Sequence, residues 1–127
     1  MNSSTALLLA RILLALIFIL AGLNKFGNIA GTAGYIGSVG LPFGTLLAWG
    51  AAIFEVVAGL AILAGFQTKL FSYALAAFCV VSAAIFHNNF GDQIQFILFM
   101  KNLAMAGGFL ALSVSGPGSI SVDARRA

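Results

Sequence analysis

Ionisable and amide side chains are few in this chain and unusually placed. Arg11, Lys25, Glu55, His87, Asn88, Lys101 and Asn102 lie within long apolar runs or at their ends. In such a setting each ionisable group costs at least ~2.5 to 3.5 kcal/mol at mid-helix unless it meets a partner or a water-filled cavity. A carboxylate, several nitrogen donors and two carboxamides can form interhelical ion pairs, hydrogen-bond a carbonyl headgroup or relay protons. Metal chemistry is poorly served, because a lone histidine without a second histidine or a cysteine cluster is a weak ligand set. The single Cys79 can form neither an intrachain disulfide nor a dithiol redox pair and is expected to pack in mid-helix. No nucleophile triad or phosphate loop is present, and Gly107-Gly108 reads as helix packing.

The elements that must position these groups follow from composition. Of 127 residues, 61% are hydrophobic and 7% charged, where a soluble domain is about a quarter charged. The chain is therefore expected to live in the lipid bilayer, as one domain, and its hydrophobicity excludes disorder. A net charge of +3 does not imply nucleic acid, since the basic residues are scattered and form no phosphate-tracking stripe.

Apolar runs over 6–24, 46–66, 70–87 and 94–114 each approach the ~20 residues that cross a bilayer. They predict an all-α membrane protein, a four-transmembrane-helix antiparallel bundle. The first run is not read as a signal peptide, because Arg11 sits inside it rather than before it. Short connections at 67–69 and 88–93 force antiparallel neighbours. The glycine-rich segment 27–45, with Tyr35, Pro42 and Phe43, is expected to be interfacial, folded over one mouth of the bundle with a short helix near Thr32 to Val39. Pro117 between Gly116 and Gly118 ends the last helix, leaving 115–127 as a short tail. With four spans both termini share a face, and Arg11, Lys69, Arg125 and Arg126 against Lys25 put that face in the cytoplasm.

Helical spacing aims the polar groups inward. Glu55 shares a stripe with Ala48, Ala51, Ala52, Ala58 and Gly59, and small residues mark where membrane helices approach closely. Its distance from Leu46 places it roughly 14 Å deep at ~1.5 Å per residue, near the midplane. Arg11, Ala15, Phe18, Gly22 and Lys25 follow one face of the first span, Tyr73, Ala76, Val80, Ala84 and His87 one face of the third, and Lys101, Met105 and Gly108 one face of the fourth. Together these predict a polar pocket in the outer half of the bundle, under the glycine-rich segment, with Glu55 at its floor among Arg11 and Lys101. Opposite charges would keep that carboxylate ionised. The alternative is that the same residues only hydrogen-bond the helices to one another.

Ala10-Arg11-Ile12-Leu13, Ala21-Gly22 with Lys25, Gly40-Leu41-Pro42, Glu55 with Gly59 and Gly65, and Phe86-His87-Asn88-Asn89-Phe90 form a recurrent set, completed by Met100-Lys101-Asn102-Leu103, Gly107-Gly108-Phe109-Leu110 and Gly116-Pro117-Gly118. On these residues the chain resembles the DoxX family of small four-span membrane proteins over practically its full length. The resemblance implies an integral protein of the bacterial cytoplasmic (inner) membrane, an oxidoreductase or a subunit of one. Family relatives are linked to thiosulfate:quinone oxidoreduction and to responses to quinones, catechols and oxidative stress, which makes a quinone-like ligand the expected occupant of the pocket. The sequence has no dinucleotide motif, haem ligand pair or dithiol, so any redox cofactor is expected from an oxidoreductase partner subunit or from the lipid. Two other functions stay open: a non-enzymatic scaffold or assembly partner, and a small carrier built as a homo-oligomer.

Overall fold

The computed structural model describes residues 1–127. Its helices are α1 (Ser3–Gly27), α2 (Ile29–Ser38), α3 (Gly44–Ala64), α4 (Thr68–Phe86), α5 (Gln93–Ser115) and α6 (Val122–Arg126). α1, α3, α4 and α5 are long and apolar enough to cross a membrane and run up and down as an antiparallel bundle, as their short connections require. Helix ends follow local chemistry. Asn2 accepts from the Thr5 amide and starts α1 ahead of the expected residue 6. α3 stops at Ala64 rather than 66 because Gly65 adopts a left-handed φ of 72° and caps the last turn, a conformation glycine takes without steric cost.

The bundle is two tightly packed pairs, α1 with α3 and α4 with α5, joined by much sparser α3 to α4 and α1 to α5 contacts. Glycine permits the first pairing. A side-chain carbon on Gly22 would come within 2.6 Å of Val56 Cγ2 and 3.0 Å of the Ala52 carbonyl oxygen, and one on Gly59 within 2.8 Å of Ile19 Cγ1. The two pairs are joined in mid-bundle by aromatic rings. Phe18 sits 5.6 Å from Phe109 and 6.3 Å from Phe78, centroid to centroid, among buried Ile62, Leu75, Cys79 and Leu112.

α2 is the interfacial helix expected between the first two spans. It packs on α3, and the chain turns so sharply at Gly44 that a side-chain carbon there would come within 2.6 Å of the Ala33 carbonyl oxygen.

Residues 116–127 are docked, where the sequence predicts a simple polar tail. The cause is Arg11, which is 1% exposed and needs acceptors. Its Nη1 donates to the Pro117 and Ile120 carbonyls at 2.7 and 2.9 Å, and its Nη2 to Ile120 and Leu63 at 2.9 and 3.1 Å. The strap continues to the α3 to α4 turn, where the Asp123 amide donates to the Gly65 carbonyl. Its carboxylate accepts from the Gln67 and Thr68 amides at 2.8 and 2.9 Å. Burial works against the Asp123 carboxylate, but hydrogen bonds from Thr68 and Gln67 outweigh it and hold its pKa below the ordinary carboxylate value.

Three outcomes are expected. Gly22→Val should push α1 off α3 and lower stability in detergent by about 1 to 3 kcal/mol, read as a drop in thermal midpoint. Gly107→Ala meets open space and should leave the midpoint unchanged or raise it. The Asp123 contribution is complete above its ordinary value and is lost as pH falls through the lower folded value. The wild-type midpoint should therefore drop as pH falls below about 4, and Asp123→Asn should flatten that part of the curve.

Candidate functional site

At the end of the bundle where α1 stops, the two helix pairs part and a cavity of about 1120 Å³ opens beneath α2. Its polar lining comes from every part of the bundle: Asn24 and Lys25 from α1, Asn28 before α2, Glu55 from α3, His87 after α4 and Asn102 from α5. The apolar lining comes mainly from α3, with Ala51 and Phe54 beside Glu55, and from α4, with Ala74, Ala77, Phe78 and Val81.

The centre of the polar part is an ion pair. Lys25 Nζ donates to Glu55 Oε1 at 3.0 Å and lies 2.9 Å from Oε2. Glu55 can be this deep because Ala48, Ala52 and Ala58 on its face are fully buried and Gly22 lets α1 come close. Lys25 sits in the last turn of α1, where a cation also complements the helix dipole. The carboxylate side chain is 4% exposed and the lysine 27%, so the ammonium is the partner that remains accessible from the cavity.

Around the pair, His87 Nδ1 lies at hydrogen-bond distance, 3.0 Å, from Gln95 Oε1. Asn102 donates through Nδ2 to the Leu98 carbonyl at 3.0 Å, which leaves its Oδ1 free. α2 closes the top: the Tyr35 ring stacks on Phe86 at 5.4 Å and 22°, and its hydroxyl donates to the Phe86 carbonyl at 3.5 Å.

Of the residues singled out from sequence, Lys25, Glu55, His87 and Asn102 converge on this cavity. Arg11, Asn88 and Lys101 do not. Arg11 is fourteen residues before Lys25 on α1, roughly 21 Å along the axis, and serves the strap at the far end of the bundle. It cannot flank Glu55. Lys101 is exposed, because α5 meets α1 near Gly108 and Phe109, about two turns below it. Asn88 is also exposed and turns its amide back onto the Ala84 and Ile85 carbonyls. The partner of Glu55 is therefore Lys25, not Arg11 or Lys101.

Asn28, Thr32 and Tyr35 line the cavity without having been picked out as site residues. Their signal was present in the spacing of four and three residues along α2, masked by the glycines around them. The long apolar wall of Phe54 and Phe78, with rings 5.2 Å apart, carried no such signal.

A four-helix membrane bundle with a charged pair in a cavity of mixed polar and apolar lining is a small multi-pass membrane protein of a definite kind. The chain belongs to the DoxX family, whose sequence model matches residues 6–88. It is 42% identical over 116 residues to "Inner membrane protein YqjF" of Escherichia coli (strain K12), covering 91% of this chain and 88% of that protein. It is 39% identical over 124 residues to "Inner membrane protein YphA" of the same organism, covering 94% and 89%. "Putative oxidoreductase CatD" of Bacillus subtilis (strain 168) is 34% identical over 112 residues, covering 83% and 82%. The four apolar helices and these relatives make it a multi-pass inner-membrane protein. No solved structure matches the chain.

Removing one member of a buried pair strands the other charge, which costs more than removing both. Lys25→Met alone should destabilise the protein in detergent by about 3 kcal/mol. The double variant Lys25→Met with Glu55→Leu should recover at least half of that loss in a thermal midpoint series.

Proposed function

We propose that this protein is a quinone-interacting membrane component of an oxidoreductase system, with the headgroup held in the cavity beneath α2. The observation that carries the reading is the Lys25–Glu55 pair at the boundary between the polar and apolar parts of one cavity. A lysine ammonium has three N–H donors, and the carboxylate engages it from one side only. A ring carbonyl approaching from the cavity accepts from Lys25, while Glu55 holds the side chain in place from the other side. His87 and Asn102 stand on the opposite wall as further polar partners for the ring. The apolar wall beside the pair, between Phe54 and the Ala74 to Val81 face of α4, suits an aromatic or quinonoid ring. The name of the CatD relative agrees with redox chemistry, and the electrons would come from a partner subunit or from the quinone pool.

The competing reading, a scaffold whose polar residues only fix helix register, describes Arg11 well, since all its acceptors are backbone carbonyls. It leaves the cavity around Lys25 and Glu55 without a purpose. With the termini in the cytoplasm, as the Lys/Arg distribution favours, the headgroup would sit in the outer half of the membrane.

The test is titration of purified protein in nanodiscs with a decyl-substituted benzoquinone, followed by tryptophan fluorescence or calorimetry. Saturable binding is expected, weakened at least about tenfold by Lys25→Met and by Glu55→Gln, as loss of a charge-assisted hydrogen bond implies. Lys101→Met, outside the cavity, should bind as wild type does. Undiminished affinity in both cavity variants rejects the reading.

A further inference from the structure

Two residues of α4 belong to two hollows at once. Ala77 and Val81 line the cavity on the side of α3. On their other side they border a groove of about 430 Å³ between α4 and α5, completed by Tyr73, Ala76, Val80, Ala106 and Leu110. The groove is apolar along its whole length. Ala77 and Val81 are themselves exposed, and they lie on the seam where α3 and α4 pack sparsely. The ridge between the hollows is low at Ala77, which contributes a single methyl group.

We infer that the ligand of the cavity is an amphipath whose apolar chain leaves between α3 and α4, crosses the ridge at Ala77 and lies in the α4 to α5 groove. This rests on the headgroup reading above and adds to it the path and the place of the chain. The lining supports this placement: hydrogen-bonding groups and aromatic rings together border the cavity, and the groove beyond Ala77 is hydrocarbon. From Val81 to Tyr73 the groove follows α4 for roughly 12 Å, enough for the first part of an alkyl or isoprenoid chain, with the remainder in the bilayer.

The energetics also favour a lateral path. Lipid tails are as apolar as the groove, so laying a chain there gains little by hydrophobic transfer. Selection comes from packing and from the fact that the chain never leaves hydrocarbon while the head reaches Lys25. A ligand approaching through the top would instead have to displace α2 and break the Tyr35 stack on Phe86. Ala77 and Val80 are on this account specificity-determining positions for the chain, without contact to the headgroup.

The experiment uses a benzoquinone ring carrying a decyl chain with a terminal diazirine, photolysed with the protein in nanodiscs of phosphatidylethanolamine and phosphatidylglycerol, and peptide mapping of the crosslinks. Label is expected on Tyr73, Val80 and Leu110, and an excess of the same ring without a chain should compete it away. Val80→Trp fills the groove from a position outside the cavity lining, and should cut this label at least roughly fivefold while the chainless ring binds as before. Ala77→Phe, which raises the ridge, should act in the same direction. Label that the ring competes away but that falls on α1 or α2, or that persists in Val80→Trp, overturns the path and leaves the headgroup reading intact. Label that the ring does not compete away and that is unchanged in Lys25→Met overturns both.

Discussion

A carboxylate enclosed by hydrocarbon must have a cation beside it, and much of this structure follows from how Glu55 obtains one. Lys25 reaches it from the last turn of the neighbouring helix, which requires α1 and α3 to lie close and in one register. Gly22 and Gly59 provide that closeness by leaving no side chain in the way. In a medium of low effective dielectric the attraction is strong and the cost of breaking it is high, so the pair both aligns the helices and holds a charge at the edge of a cavity. A lysine about three-quarters shielded yet accessible on one flank is an unusual resource inside a membrane protein, where ionisable groups tend to mark functional paths.

The opposite end of the bundle answers the same electrostatic problem differently. Arg11 has no carboxylate against its guanidinium and is satisfied by carbonyl oxygens of the α3 terminus and the C-terminal strap. Helix ends leave their last carbonyls without intrahelical partners, and Arg11 uses one of these, at Leu63, together with the strap that Gly116 and Gly118 bend back. Asp123 completes the arrangement by taking the free amides at the start of α4. One end of the molecule is thus stitched shut by backbone hydrogen bonds, while at the other the helix pairs part around the Lys25–Glu55 ion pair beneath α2. The contrast gives the bundle a closed end that maintains the fold and an open end free to accommodate a guest.

The open end also has a direction. α2 and the Tyr35 stack cover its top, whereas the α3 to α4 side is loosely packed and lined by small residues. Polar groups such as Lys25 and Asn102 share the cavity with the Phe54 and Phe78 wall, and the outer groove is apolar throughout. A molecule with a hydrogen-bonding head and a hydrocarbon chain matches that division, and on the proposed reading it would enter from the membrane side. The relatives of known name place the chain in the inner membrane, where amphipaths of this type are dissolved.

Composition and periodicity sufficed for the architecture. Runs of Leu, Ala, Ile and Phe near bilayer length can only be spanning helices, and the short loops at 67–69 and 88–93 fix their antiparallel order. That Glu55 faces inward was legible from its stripe of alanines and glycine, because close helix packing excludes larger neighbours. Which cation meets it was not. Arg11, Lys25 and Lys101 all lie on faces that look inward on a helical wheel, and a wheel carries no information about where two axes diverge. Only the tertiary structure sent Arg11 to the strap and Lys25 to the carboxylate, and left Lys101 exposed above the point where α5 meets α1. The docked tail and the shared ridge at Ala77 and Val81 were equally invisible, since both arise from contacts between segments far apart in the chain. Burial pattern is a property of each helix alone; pairing depends on the angles and offsets at which the helices pack.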